Sequence, residues 1–144
     1  MKKVQIFADG ACLGNPGAGG WCAILRYKNK EKIIKGSKKQ TTNNEMELTA
    51  VLEAIKKLKE PCEVELYCDS KYVINGISKW IENWVKNNWK NSSKNEIANK
   101  KLWQELYKLK KVHKINPIWV KGHSGHKENE LCDKIAKEEA KKIL

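Results

Sequence analysis

The first part of the chain alternates apolar and polar residues over short stretches separated by turn-forming residues. Val4, Ile6 and Ala8 alternate with Gln5 and Phe7, which predicts an interior strand over residues 3–8 because both faces carry apolar side chains. Residues 14–20 are rich in glycine and predict a turn. Further strands are predicted over residues 21–27 and about 32–37. Sequential strands joined by short turns should pair as an antiparallel meander.

The apolar period then lengthens to that of a helix. Thr42 or Asn43 can cap this helix, and Pro61 is predicted to stop it. Its apolar stripe recurs at helical spacing and consists of Leu48, Val51, Leu52, Ile55 and Leu58.

Helices and strands alternate in the rest of the chain. Strands are predicted over residues 63–68 and 115–120, a helix over residues 101–111 and another at the end, with Ser70 capping a short helix. The first, fourth and fifth strands should be parallel because helices separate them. The sequence thus predicts an α/β fold in one domain of residues 1–144. Its mixed five-stranded sheet is flanked by helices, with strands 1–3 antiparallel and strands 1, 4 and 5 parallel.

The net charge of +12 indicates a polyanionic partner, with nucleic acid ahead of an anionic membrane. No apolar run is long enough to span a bilayer, and Met1-Lys2-Lys3 leads directly into the first predicted strand. We therefore expect no membrane association and a cytoplasmic location. The five cysteines lack zinc-binding spacing, so we expect reduced thiols, mostly in the core.

Four acids stand at positions where an acid is informative. Asp9 and Asp69 end predicted strands, Glu47 borders the apolar stripe of the first helix, and Asp133 borders that of the last. Taken singly, each could be a turn residue, a helix cap or a surface acid. Four clustered carboxylates would repel one another, and two divalent cations would remove that repulsion. Oxygen ligands favour Mg²⁺, with Mn²⁺ as a substitute, and such an ion pair can promote phosphodiester hydrolysis.

These acids lie in segments that resemble the type 1 ribonucleases H, in their bacterial form. The resemblance covers essentially the whole chain, with the motifs in order and at full-length spacing. The segments are residues 7–17, Thr41-Thr42-Asn43-Asn44-Glu45-Met46-Glu47-Leu48, residues 67–73, Gly122-His123-Ser124-Gly125-His126 with residues 119–121, and residues 129–133.

The resemblance implies an endonuclease that cuts the RNA strand of an RNA–DNA hybrid and leaves 5′-phosphate and 3′-hydroxyl ends. Asp9, Glu47 and Asp69 match the family's ligands for one metal ion, and Asp9 with Asp133 match those for the second. His123 matches a mobile histidine that assists proton movement or product departure. Glu130 matches an acidic neighbour of the second metal, and His126 is expected to be structural.

The resemblance also implies where the hybrid would bind. Cys12, Asn15, Asn43 and Asn44 match positions that approach the RNA minor groove, while Thr42 and Asn15 are candidates for a pocket that holds a DNA phosphate. A basic protrusion is expected at about residues 80–101, where lysines outnumber acids and tryptophans are interleaved. Its candidate substrate residues are Trp80, Trp84, Lys86 and Lys90.

Two positions depart from the family pattern, and two other functions stay open. Lys71 stands where glutamine is common, although it can still reach the RNA strand, and Glu45 stands where a basic residue is frequent. The tryptophans of the protrusion could instead form a small satellite core, and we expect at least one to pack inward. The alternatives are a resolvase or integrase-like nuclease that acts on DNA and a non-catalytic nucleic-acid-binding module. We expect a monomer.

Overall fold

The computed structural model describes residues 1–121 and 126–144 and contains one mixed five-stranded sheet. The spatial order is β3-β2-β1-β4-β5. The first three strands pair antiparallel, whereas β1, β4 and β5 are parallel, as predicted. The strands are β1 Lys2–Leu13, β2 Gly17–Tyr27, β3 Lys30–Thr41, β4 Cys62–Cys68 and β5 Lys114–Trp119.

The first three strands are longer than the sequence predicts. The antiparallel ladder of β1 and β2 continues to Leu13 and Ala18, so most of the predicted turn is strand. The parallel pairing of β1 with β4 ends earlier, at Phe7 and Tyr67. The prediction that Asp9 ends a strand is therefore wrong. Asp9 lies just beyond the parallel ladder, in a strand that β2 alone continues to support.

Helices cover both faces of the sheet, and polar side chains define where two of them begin. Thr42 accepts a hydrogen bond from the Glu45 N–H at the start of the first helix, and Ser70 accepts one from Val73. The first helix ends before Pro61 is reached, so proline does not stop it. The helices are α1 Asn43–Lys56, α2 Lys71–Asn75, a π-helical turn Gly76–Trp80, α3 Ile81–Lys86, α4 Lys100–Val112 and α5 Lys127–Lys142.

The core lies in two layers, one on each face of the sheet. Ile6 and Leu66 join buried residues of α1 and α4 in the larger layer. Phe7 and Ile24 pack with Cys132 of α5 in the smaller one. Adjacent residues of β1 thus serve opposite layers, as expected for an interior strand. In the described residues, no helix is long and apolar enough to cross a membrane.

Close packing and an ion-pair cluster hold α5 against β2. A Cβ atom added to Gly20 would lie within 3.0 Å of α5 backbone atoms, so the strand and helix backbones are in direct contact. Arg26, the single arginine, pairs with Glu31 and, at 2.8 Å, with Glu128 at the start of α5. Its guanidinium also lies 5.1 Å from the centre of the Phe7 ring.

Tryptophans connect the segment around α3 to the core. The Trp84 ring lies 5.2 Å from that of buried Trp103, and Trp89 lies 6.1 Å from Tyr107. Trp80 is 37% exposed, with its ring 5.9 Å from Trp84. The expectation that at least one tryptophan packs inward is confirmed, and Trp80 retains an accessible face.

The buried His113 should make stability depend on pH. Its Nδ1 accepts a hydrogen bond from the Cys62 N–H at 3.1 Å, and burial lowers its pKa from 6.5. The unfolded chain therefore takes up a proton at higher pH than the folded chain. The stabilisation from this site is present above pH 6.5 and is lost as pH falls through the lower folded pKa.

We expect His113→Gln, which keeps an acceptor but cannot titrate, to weaken the loss of unfolding free energy on acidification. Urea denaturation of both proteins between pH 7.5 and 5 would measure it. Equal losses in both proteins would contradict this assignment.

Candidate active site

Asp9 and Glu47 meet because β1 and the start of α1 approach each other closely. A Cβ atom added to Gly10 would lie within 3.0 Å of the Glu47 backbone nitrogen and of Met46 atoms. Glycine is therefore needed beside Asp9 for α1 to lie this near. Asp9 is 1% exposed, and its Oδ1 accepts a hydrogen bond from the Gly10 N–H at 2.9 Å.

Glu47 lies in an environment that strongly opposes a negative charge. Burial, the charge and hydrogen bond of Asp9, and the charge of Asp69 raise its pKa well above 4.5. Its Oε2 is buried and has no hydrogen-bond partner among the residues that the structure describes. The carboxylate form therefore requires a nearby cation.

Asp69 follows the end of β4 and completes a compact group of ligands. A carboxylate oxygen of Asp69, one of Glu47 and the Cys68 Sγ all lie within 4.8 Å of one another. The Trp119 Nε1–H donates to the Asp69 backbone carbonyl at 3.1 Å, and the Lys71 Nζ lies 4.4 Å from the Trp119 ring centre. Lys71 thus lies beside the acids. Cys68 and Trp119 are site residues that the sequence analysis missed.

Asp133 stands on α5 and has its own counter-ion. It pairs with Lys137 one turn later at 3.0 Å, and the pKa of Lys137 is raised by Asp133 and, more weakly, by Asp9. Both acids therefore act electrostatically on the same ammonium group. The chain contains only three aspartates, and all three belong to this region.

The start of α5 is attached to the end of β4 by a residue that the sequence analysis did not single out. Asn129 is fully buried, and its Nδ2 donates to the Tyr67 carbonyl at 3.1 Å. This bond fixes the helix one turn before Asp133. His126 precedes the helix with its ring 5.9 Å from Tyr67, and Glu130 is exposed. His123 lies outside the described residues.

Comparison with known proteins places the chain in a family. The family model described as RNase H matches residues 1–141. The Ribonuclease H of Acetivibrio thermocellus is 58% identical over 143 residues, which cover 99% of this chain and 97% of that protein. The chain belongs to the RNase H family. The Ribonuclease H of Brucella anthropi is 54% identical over a match that covers 96% of this chain and 90% of that protein.

Solved structures support the same assignment. LC9-RNase H1, a type 1 RNase H with the type 2 active-site motif, has a TM-score of 0.88 at 30% identity. The match covers 99% of this chain and 74% of that one. LC11-RNase H1, solved in complex with an RNA/DNA hybrid, has a TM-score of 0.70 at 19% identity and supports the fold alone. The resemblance and the fold class inferred from the sequence are confirmed.

Five of the predicted substrate residues of this RNase H family member lie at one edge of the site, around the β1–β2 turn and the start of α1. The Asn15 side chain accepts a hydrogen bond from the Asn43 N–H at 3.0 Å, which joins the β1–β2 turn to the start of α1. The Cys12 Sγ contacts the Thr41 carbonyl at 3.3 Å. Thr42 and Asn44 are exposed on the same edge. Trp80, Lys86 and Lys90 lie instead on the segment around α3 and are also exposed.

Glu45 is neutralised locally. Although burial alone would raise its pKa, hydrogen bonds from Lys38, at 2.8 Å, and from Thr41 lower it. The departure from a basic residue therefore adds little free negative charge to this edge.

The Gly10 contact can be tested by adding one methyl group. We expect Gly10→Ala to push α1 away from β1 and to lower the free energy of unfolding by about 1–3 kcal/mol, the usual cost of overpacking. Gly36→Ala, on edge strand β3, is the matched control, because the three atoms nearest its added Cβ all belong to the Trp21 side chain rather than to backbone. Urea denaturation should show the larger loss for Gly10→Ala. Equal losses would mean that the backbone contact is not limiting.

Proposed function

We propose that this protein is an endonuclease that hydrolyses the RNA strand of RNA–DNA hybrids with two divalent ions. The whole chain, residues 1–144, would form one ribonuclease H domain with a basic protrusion at about residues 80–101. The observation that carries the proposal is the close approach of half-buried Asp69 to the buried Asp9 and Glu47 in a chain of net charge +12. Placing these carboxylates close together costs free energy. Such an arrangement in a basic protein suits cation-assisted chemistry on a polyanion.

The donors present fit magnesium ions. Asp9, Glu47 and Asp69 would hold one ion, and Asp9 with Asp133 the second. Oxygen donors suit Mg²⁺, with Mn²⁺ as a substitute. The Oε2 of Glu47, which is buried and has no hydrogen-bond partner among the described residues, supports a cation at this place. When bound, the ions supply the positive charge that activates water and stabilises the leaving 3′ oxygen, giving 5′-phosphate and 3′-hydroxyl ends.

Two of the protein's own side chains would assist the reaction, one by freeing a metal ligand and one by transferring a proton. Lys137 would release Asp133 when the second ion binds, because both compete for the same carboxylate. His123 would accept or pass a proton near neutral pH and assist product departure.

Recognition of the hybrid would divide between two surfaces. Cys12, Asn15, Asn43 and Asn44 would read the RNA strand, since amides both donate to and accept from a 2′-hydroxyl, and Thr42 with Asn15 would hold a DNA phosphate. Lys71 would contact the RNA strand from beside Asp69. Trp80 and Trp84 would pack on the DNA sugars, while Lys86 and Lys90 contact phosphates.

The remaining expectations concern the state of the protein. We propose a cytoplasmic monomer. The five cysteines carry free thiols, which suits a reducing compartment.

The decisive test is cleavage of end-labelled RNA that is paired with DNA, paired with RNA or single-stranded, with Mg²⁺ or EDTA. We expect Mg²⁺-dependent cutting of the hybrid alone. Asp9→Asn should lower turnover at least about 100-fold through the loss of a metal ligand. It should leave the fold intact, because it removes a charge that opposes Glu47.

Glu53→Gln is the matched control, because Glu53 lies on a later turn of α1 and pairs only with Lys56 among the described residues. Near-normal cleavage by Asp9→Asn would refute the metal assignment. Tight hybrid binding without turnover would favour a binding module, and cutting of DNA junctions alone would favour the resolvase class.

If the protrusion contacts phosphates, its lysines should contribute to the salt dependence of hybrid binding. Replacing Lys86, Lys90 and Lys94 with alanine should raise KM and reduce the slope of log binding affinity against log salt by up to about 2.7, or 0.9 per phosphate contact. The control variant replaces Lys30, Lys57 and Lys59 with alanine and so removes the same amount of charge. These lysines line a groove with Val4, at the end of the sheet opposite the acids. A slope reduced equally in both variants would show that net charge, not the protrusion, determines binding.

A further inference from the structure

One donor in the acid group is chemically unlike the others. Cys68 is the last residue of β4, is fully buried, and places its Sγ within 4.8 Å of oxygens of both Glu47 and Asp69. The proposed magnesium site has no use for this sulfur, because Mg²⁺ prefers oxygen. The Ser70 N–H donates to the Sγ at 3.4 Å, which orients it and can stabilise negative charge on it.

A second, independent observation points to a ligand at this group. Glu47 is 4% exposed, and its Oε2 has no hydrogen-bond partner among the described residues. A buried carboxylate oxygen of this kind is costly unless a cation or proton joins it.

We propose that Glu47, Cys68 and Asp69 form a site for a thiophilic divalent cation of the Zn²⁺ or Cd²⁺ class. Because this ion would take Glu47 and Asp69 away from magnesium, it would act as a competitive inhibitor. The inhibitory consequence rests on the proposed function, whereas binding of the ion does not.

The geometry needs only small adjustments. In a tetrahedral zinc site with Zn–S of about 2.3 Å and Zn–O of about 2.1 Å, sulfur and oxygen lie about 3.6 Å apart. The three ligand atoms already lie within 4.8 Å, so side-chain rotation can close the difference. Water would take the fourth position.

Binding must displace the thiol proton. Burial and the charges of Glu47, Asp69 and Asp9 raise the pKa of Cys68, so the ligand-free thiol is protonated. The incoming cation reverses the sign of the local charge, the thiolate sulfur forms the bond to the metal, and the proton passes to solvent.

The other cysteines provide a contrast within the same chain. Cys62 contacts the Glu60 carbonyl, and Cys12 contacts backbone carbonyls near the β1–β2 turn. Cys132 interacts with Cys22 in the layer beneath α5. Within the part of the chain that the structure describes, the one group of three potential metal ligands contains Cys68.

The test is a titration of magnesium-free protein with Cd²⁺, followed by the ultraviolet charge-transfer band of cadmium thiolate. The wild type and Cys62→Ser should show the band, and Cys68→Ser should lose it. Calorimetry with Zn²⁺ should show affinity at least about 10-fold weaker for Cys68→Ser. A band that persists in Cys68→Ser, or equal Zn²⁺ affinities, would overturn the proposal.

Two further measurements keep the outcome interpretable. Glu47→Gln leaves every thiol in place, so it should weaken Cd²⁺ binding even if Cys68→Ser folds poorly, and unchanged affinity would overturn the proposal. Mg²⁺-dependent hybrid cleavage is measured in parallel with and without Zn²⁺. Cys68-dependent Cd²⁺ binding without any cleavage would leave the site standing and reject the proposed function. Cleavage without Cys68-dependent binding would do the reverse.

Discussion

The close approach of α1 to β1 at Gly10 is the contact on which the site depends. It places the Glu47 backbone against the strand that carries Asp9 and so forces two carboxylates together in the interior. The apolar residues of the same helix, among them Leu48 and Leu52, pack into the larger core layer and supply the free energy that offsets this repulsion. The raised pKa of Glu47 is the consequence of that arrangement, because the structure opposes a negative charge there.

Negative charge is compensated differently at Asp133 on α5 and at Glu47 on α1. Asp133 is half-buried on α5 and is neutralised by Lys137, a counter-ion within its own helix. Glu47 has neighbours that are mostly acids or a thiol, so a proton or a cation must stabilise it. The α5 half is anchored by the contacts of Gly20, Arg26 and Asn129 with neighbouring elements. Of the two proposed ion sites, the first is therefore expected to fill more readily than the second, where Lys137 would have to be displaced.

Several features were predictable because they depend on local pattern. The parallel arrangement follows from strand and helix order, and the acids were identifiable from their motifs. The Gly17–Gly20 part of β2 was missed because it lacks apolar alternation, and its pairing with β1 supports it instead. Cys68 looked like a core residue because it continues the buried alternation of Val64 and Leu66. Its second role depends on where α1 places Glu47, which no local pattern records.

The protein can attract both a polyanion and cations, since the exposed lysines and the buried acids act on different neighbours over short distances. Exposed charges are screened over about 8 Å at physiological ionic strength. The exposed Lys86 and Lys90, as proposed phosphate contacts, would therefore act on phosphates close to them rather than on the buried acids. The acids instead act on one another within a few ångströms, where burial limits screening. Lys71, which rests on Trp119 beside Asp69, joins the two regions. A phosphate reaching the acids would therefore pass a cation immediately before the site, which lowers the repulsion that the carboxylates would otherwise impose on it.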